Sequence, residues 1–138
     1  EIVNSSESPI ELFHGYTYSG HPVAAAAGIA TLEVYKKEEL FLRAKKMESI
    51  FEKALHSLKG ERFIIDIRNF GLMGAIHFGS EEGKNATEIS SQVFKHCYEN
   101  DVLVRFSGDF IVLSPALIVE EDHIDTIVET LRKGIQSI

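Results

Sequence analysis

The sequence at residues 13–22 is Phe13-His14-Gly15-Tyr16-Thr17-Tyr18-Ser19-Gly20-His21-Pro22, and an Ala-rich run from Val23 to Ala30 follows it. This pattern predicts a polar loop entering a helix, because proline suits the first helical turn, where its missing N–H leaves no hydrogen bond unmade. The hydroxyl of Thr17 or Ser19 would then stand near a helix N-terminus, which favours an anion such as phosphate. A capped turn that binds nothing is the common alternative, and the local residues leave both open.

The length and composition of the chain are typical of one globular domain of ordinary size. The 138 residues are 44% hydrophobic and 25% charged, as in globular proteins, and the net charge is -7. This charge argues against nucleic acid and anionic membranes as partners, because both attract clustered Lys and Arg. No apolar run approaches the length of a membrane span. The single cysteine, Cys97, allows no internal disulfide, so we expect a reducing, cytoplasmic setting.

Apolar spacing and turn residues predict the order of the secondary-structure elements. The predicted helices span 22–36, about 39–58, 85 or 87 to about 100, and 120 onward, and the predicted strands span 63–67, 72–78, 102–106 and 110–113. The last two strands flank Ser107-Gly108-Asp109 and should form a hairpin. This order predicts an α+β fold, in which a long helix precedes helices packed on one face of a small, mostly antiparallel sheet.

Arg105 lies among apolar residues beside the predicted hairpin turn. Its five N–H donors need partners, because the guanidinium stays charged in proteins. From the residues alone, a structural ion pair with Asp101 or Asp109 is the simplest expectation.

The stretch at 13–22 resembles a signature of the class III aminotransferases, which are pyridoxal-phosphate enzymes of fold type I. It is most similar to the omega-amino-acid–pyruvate (beta-alanine–pyruvate) branch, where the form is F-H-G-x-T-Y-S-G-H-P. The resemblance covers nearly all 138 residues and implies the C-terminal small domain of that fold. It implies that Thr17, with Tyr18 and Ser19 beside it, contacts the cofactor phosphate in the site of the partner subunit of a homodimer.

A second match concerns Arg105. The family pattern V-x-x-R-x-x-G-D, a short apolar strand and S-P-P-L correspond here to Val102–Asp109 and to Ser114–Leu117, with Ala116 in place of the second proline. The resemblance implies that Arg105 binds the substrate carboxylate and swings aside for substrates with an apolar group. A planar guanidinium suits bidentate carboxylate recognition.

A third match, Ile67–Ile76, resembles V-R-G-x-G-L-M-G-A-I and is interpreted as structural, with glycines for close packing. The match departs from the family at Asn69, where glycine is common. His77, which directly follows this segment, stands where an acidic residue is common. Arg68 is expected to pair with a carboxylate.

The lysine that such chemistry requires is not found at a matching position. Transamination with pyridoxal phosphate uses a lysine that holds the cofactor and moves a proton, and in the family this lysine precedes the threonine loop. The first lysine here is Lys36, which follows the loop. Since the chain also starts at Glu1, we expect a C-terminal fragment that is inactive alone, with residues 1–36 from the large domain and 37–138 forming the small domain.

No other catalytic or metal pattern is predicted. His14 and His21 share a loop without a third ligand at metal spacing, and the remaining histidines are scattered and expected on surfaces (His56, His77, His96, His123). Cys97 falls on the apolar side of a helix and is expected in the core.

Three functions remain in competition at this point. The first is part of an aminotransferase that acts on an omega-amino acid or amine and a keto acid such as pyruvate. The second is a non-catalytic α+β module that binds a partner chain or a small anion. The third keeps the family but uses a diamine or diamino acid. The form Ser19-Gly20-His21-Pro22 favours the omega branch.

Overall fold

The computed structural model describes residues 15–81 and 83–138, so residues 1–14, with Phe13 and His14 of the opening motif, and Glu82 lie outside the described residues. The helices and strands follow one another along the described chain in the predicted order. Their bounds are α1 (Pro22–Lys37), α2 (Leu40–His56), β1 (Ile64–Phe70), β2 (Met73–Phe78), α3 (Ala86–Glu99), β3 (Arg105–Ser107), β4 (Phe110–Leu113) and α4 (Glu121–Gln136). The predicted α+β class is confirmed.

The strands form one antiparallel sheet in the order β1-β2-β4-β3. Ile67, Ile76 and Ile111 are partners in register across β1, β2 and β4, and all three are buried. Helices α2 and α3 pack on this buried face, and α4 packs against both helices. The opposite face, called the open face below, is covered by no helix of the described residues, and its side chains stay exposed or half-buried.

At Gly74 on β2, side chains of α2 approach the backbone of the sheet closely. A Cβ atom there would lie 2.5 Å from Leu55 Cδ2 and 3.1 Å from Phe51 Cε1. Both neighbouring side chains are buried. This confirms the expectation that a glycine in this segment serves close packing.

Strand β1 extends further than the sequence suggested. Asn69 and Phe70 were expected to interrupt it, but they pair with Gly74 and Met73 in the ladder. The chain reverses through only two residues, because Gly71 adopts a φ of 57°, as the first position of a type II′ turn requires.

Strand β3 starts later than predicted, at Arg105 rather than Val102. The reason lies at the end of α3, where the Val102 N–H donates to the carbonyl of Cys97 at 2.9 Å. Asp101 has a φ of 61° and turns the chain back over the helix end. Val102 and Val104 are buried in the core without joining a strand.

Candidate functional site

The open face carries two rows of side chains that run across all four strands. One row begins at Arg68 on β1 and ends at Arg105 on β3, and the other begins at Asp66 and ends at Ser107. The rows are Arg68, Ala75, Val112 and Arg105, and Asp66, His77, Phe110 and Ser107. Two arginines therefore stand at opposite edges of one row, about 14 Å apart at the usual strand spacing.

The Arg105 side chain is exposed and makes no ion pair or hydrogen bond with any described residue. The expected local ion pair with Asp101 or Asp109 is therefore wrong for this chain. Arg105 lies at the rim of a groove of 570 Å³ that is lined mainly by apolar residues, among them Phe106, Val112 and Pro115. The groove therefore brings several apolar residues next to Arg105.

Arg68, at the other edge, is already paired. Its Nε lies 3.0 Å from Asp66 Oδ2, and its guanidinium carbon lies 5.7 Å from the centre of the Phe110 ring. The expectation that Arg68 pairs with a carboxylate is confirmed. The two arginines lie in the same row, but among the described residues only Arg68 forms an ion pair with a carboxylate.

The turn after β3 is held from the open face by His77. Its Nε2 donates to Asp109 Oδ2 at 2.9 Å, and its ring stacks on Phe110 with centroids 4.2 Å apart. The hydrogen bond from His77 is the main cause that lowers the pKa of Asp109 below its ordinary value of 3.8. The Asp109 carboxylate is therefore ionised and engaged at neutral pH.

The same turn is held from the helix side by Ser90, which the sequence did not single out. Ser90 is fully buried on α3, and its hydroxyl donates to the carbonyl of Gly108 at 2.6 Å. A buried serine on an apolar helix face is the signal that could have marked it, since a buried hydroxyl needs a partner.

Thr17, Tyr18 and Ser19 lie in an exposed loop before α1. Two backbone hydrogen bonds shape the loop, from Ser19 N to Tyr16 O at 2.9 Å and from His21 N to Tyr18 O at 3.1 Å. Helix α1 begins with Pro22 in its first turn and carries neither a capping side chain nor an acidic residue there. The first amide groups of a helix lack intrahelical partners, so this end can receive an anion.

The structure does not join this loop to Arg105. Within residues 15–81 and 83–138, no hydrogen bond, ion pair or ring contact links Thr17, Tyr18 or Ser19 to the open face. Helix α1, which follows the loop, packs against α2. A single site built from both would need them to come from different copies of the chain or from a different arrangement.

The four histidines expected on surfaces all keep part of their area exposed, but three of them only partly. His56, His77 and His96 are half-buried, and His56 Nε2 lies 2.9 Å from Asn69 Oδ1. His123 is exposed, and its Nδ1 accepts from the Glu120 N–H at the start of α4. Ligand atoms of Glu120, Asp122 and His123 lie within 4.8 Å of one another on the exposed surface.

Cys97 is fully buried, as expected for a core residue. Burial raises the pKa of its thiol to about 11, so the thiol is neutral at pH 7 and a poor nucleophile.

Comparison with known proteins gives one consistent result. The family model for "Aminotransferase class-III" matches residues 1–135. The chain is 47% identical over 137 residues to an omega-aminotransferase of Caulobacter vibrioides, which covers 99% of the chain and 31% of that protein. It is 34% identical over 132 residues to a beta-alanine–pyruvate aminotransferase of Pseudomonas aeruginosa, covering 96% of the chain and 29% of that protein.

Solved structures agree with these relatives. An amine transaminase from an uncultivated Pseudomonas species, in its PLP-bound form, superposes with a TM-score of 0.80 at 31% identity, over 91% of this chain and 30% of that one. The chain thus spans less than a third of the length of the curated relatives named above. No helix of the described residues is both long and apolar enough to cross a membrane.

Proposed function

The chain belongs to the class-III aminotransferase family, and from that premise we propose that it forms part of an enzyme transferring amino groups. The donor is an omega-amino acid or an amine, and the acceptor is a keto acid such as pyruvate. The observation that carries the proposal is Arg105, a guanidinium that is exposed on the open face and unpaired among the described residues. A non-catalytic module has no specific observation in its favour.

Arg105 is proposed to bind the carboxylate of the amino acid or keto acid. The Arg105 guanidinium, without a partner among the described residues, can form two parallel hydrogen bonds to a carboxylate, and the groove beside it is lined mainly by apolar residues. When the substrate has no carboxylate, the exposed side chain can leave the groove, because no described contact holds it.

Pyridoxal phosphate is proposed as the cofactor, with its phosphate at the loop before α1. When bound, this group supplies an electron sink for the carbon that loses its amino group. The chain fits the phosphate, since Thr17 and Ser19 offer exposed hydroxyls next to an uncapped helix start. Tyr18 and His21 form an edge-to-face ring contact that orders the loop beside them. We place this loop in the partner subunit's site of a homodimer.

We propose that the 138 residues alone do not transfer amino groups. The lysine that holds the cofactor in this family precedes the threonine loop, whereas the first lysine here is Lys36 in the last turn of α1. A division into 1–36 and 37–138 is proposed on the same basis. Its support is that the buried core starts at Leu40, whereas α1 buries none of its residues.

The omega-amino-acid branch is favoured over diamines by the names of the similar proteins, an omega-aminotransferase and a beta-alanine–pyruvate aminotransferase. We place the enzyme in the cytoplasm, in accord with a single cysteine that is buried and reduced.

The test uses the complete product of the encoding gene with added pyridoxal phosphate. Alanine should form from pyruvate with beta-alanine as donor, faster than with a diamine, while the isolated 138-residue chain should form none. Thr17→Val should weaken binding of the cofactor about 10- to 100-fold, as loss of a charge-assisted hydrogen bond predicts.

Thr31→Val is the matched control, because the Thr31 hydroxyl bonds only the Ala27 carbonyl within its own helix. No alanine from any omega donor, or equal effects of the two threonine variants, would contradict the proposal.

A further inference from the structure

Among the described residues, the Arg105 side chain has no ion-pair partner, although an acidic residue lies in the same hairpin. Asp109 follows Arg105 by four residues, just beyond the end of β3, and its carboxylate lies on the open face with His77. Opposite charges this close in sequence attract each other, although solvent weakens the attraction when they are exposed. Asp109 is instead engaged by His77 Nε2 at 2.9 Å.

Three further contacts hold the His77 ring and the backbone of the turn in place. The His77 ring stacks on Phe110, its partner in register, with an interplanar angle of 18°. The Phe78 N–H donates to the Asp109 carbonyl at 2.9 Å. The buried Ser90 hydroxyl donates to the Gly108 carbonyl at 2.6 Å on the other side of the turn. The turn is therefore fixed from both faces of the sheet.

We propose that His77 is a positioning residue for Arg105: by holding the Asp109 carboxylate, it leaves the guanidinium available to a carboxylate from outside the chain. That Arg105 binds a substrate carboxylate rests on the proposed function, whereas the arrangement of His77, Asp109 and Arg105 does not. An acidic residue at position 77, which is common in the family pattern, would repel Asp109 rather than hold it.

The other charged groups near the contact between His77 and Asp109 have other roles. Asp66 and Arg68 face His77 from β1, and they pair with each other at 3.0 Å. Asp101, the remaining acidic neighbour in sequence, turns the chain at the end of α3 and lines a separate hollow with His123 and Thr126. Asp109 is thus the acidic side chain that would capture Arg105 if His77 released it.

The test measures how fast phenylglyoxal modifies Arg105 in the 138-residue chain, followed by peptide mass spectrometry. The nitrogens of the neutral guanidine attack the carbonyl carbons of the reagent, and a nearby carboxylate disfavours the neutral form. His77→Phe keeps a ring over Phe110 but removes the donor, so modification of Arg105 should slow about two- to five-fold, the range of an exposed ion pair.

Two variants should return the rate to that of the unchanged chain. His77→Gln keeps an N–H donor of similar reach, and the double variant His77→Phe, Asp109→Asn removes the competing charge. Asp109→Asn alone should leave Arg105 at least as reactive as before. A purely structural role of His77 predicts no rescue by removing Asp109.

Arg132 serves as the internal reference in every sample, because it is half-buried and paired with Glu61. A rise in its modification would report unfolding of a variant, and His77→Val, which suits a strand, would then replace His77→Phe. Unchanged Arg105 reactivity in a folded His77→Phe or His77→Val chain would overturn the proposal. Because no substrate or cofactor is used, this result is independent of whether the enzyme transfers amino groups.

Discussion

At the scale of single residues, Asp109 and Arg105 show how one hydrogen bond decides which charges meet. Asp109 gives its carboxylate to His77, and Arg105 is left facing the groove. The sequence correctly predicted Arg105 beside a hairpin turn, but the expected ion pair with Asp101 or Asp109 was wrong. The contact between His77 and Asp109 spans 32 positions, so no local pattern could predict it.

Asp109 should make the stability of the chain depend on pH in the acid range. Its pKa is lowered in the folded state, chiefly by the hydrogen bond from His77, so its contribution is present above the unfolded pKa and is lost as pH falls through the folded pKa. The free energy of unfolding of the unchanged chain should exceed that of Asp109→Asn at pH 5, and the gap should shrink steadily toward pH 2.5.

Denaturant titrations at several pH values measure this gap. Asp66→Asn is a suitable control, since Asp66 lies on the same face and pairs with Arg68 instead. A gap between the unchanged chain and Asp109→Asn that stays constant from pH 5 to 2.5 would contradict the assignment.

At the scale of helices and strands, local signals predicted each helix and strand of the described chain but misplaced two strand ends that turn geometry sets. Asn85 was one of two expected caps for α3, and its side chain accepts from the Glu88 N–H at 2.8 Å. The ends of β1 and β3 were misplaced because a two-residue turn at Gly71 and the left-handed Asp101 depend on backbone angles that composition does not reveal.

The same substitution at two glycines should have opposite effects on α1 and on the core. Gly74→Ala forces a methyl group against Leu55 and Phe51, so it should lower the free energy of unfolding by about 1–3 kcal/mol. Gly28→Ala lies within α1 with open space around it and should raise helix content, stabilising α1 by up to about 1 kcal/mol.

Circular dichroism during thermal unfolding measures both variants. A Gly74→Ala chain as stable as the unchanged one would show that α2 does not lie as close to β2 as described.

At the scale of the whole molecule, α1 stands apart because it contacts α2 but buries none of its own residues within the described part of the chain. It buries no residue, and Val23 and Leu32 are 71% and 68% exposed. Its apolar residues surround the helix, a pattern typical of helices enclosed by protein on all sides. Within the described residues, the Ala-rich helix thus leaves apolar side chains exposed.

The isolated chain should therefore self-associate through α1. Replacing Ile29 and Leu32 with lysine should shift sedimentation toward a monomer, because exposed apolar patches drive association. Lysine at Tyr98 and Ile118, which are exposed elsewhere on the surface, is the matched control and should leave the distribution unchanged. A monodisperse monomer for the unchanged chain would contradict this prediction.

The most direct test of the account compares Arg105→Ala with Arg68→Ala in the complete gene product, using two amino donors. Both variants remove one positive charge from the same row of the open face, but Arg68 is already paired with Asp66. Arg105→Ala should raise KM for beta-alanine about 10- to 100-fold, as loss of a charge-assisted contact predicts, and leave KM for an amine without a carboxylate unchanged. Arg68→Ala should affect both donors equally. Equal effects of Arg105→Ala on the two donors would contradict the assignment of Arg105 as the carboxylate-binding residue.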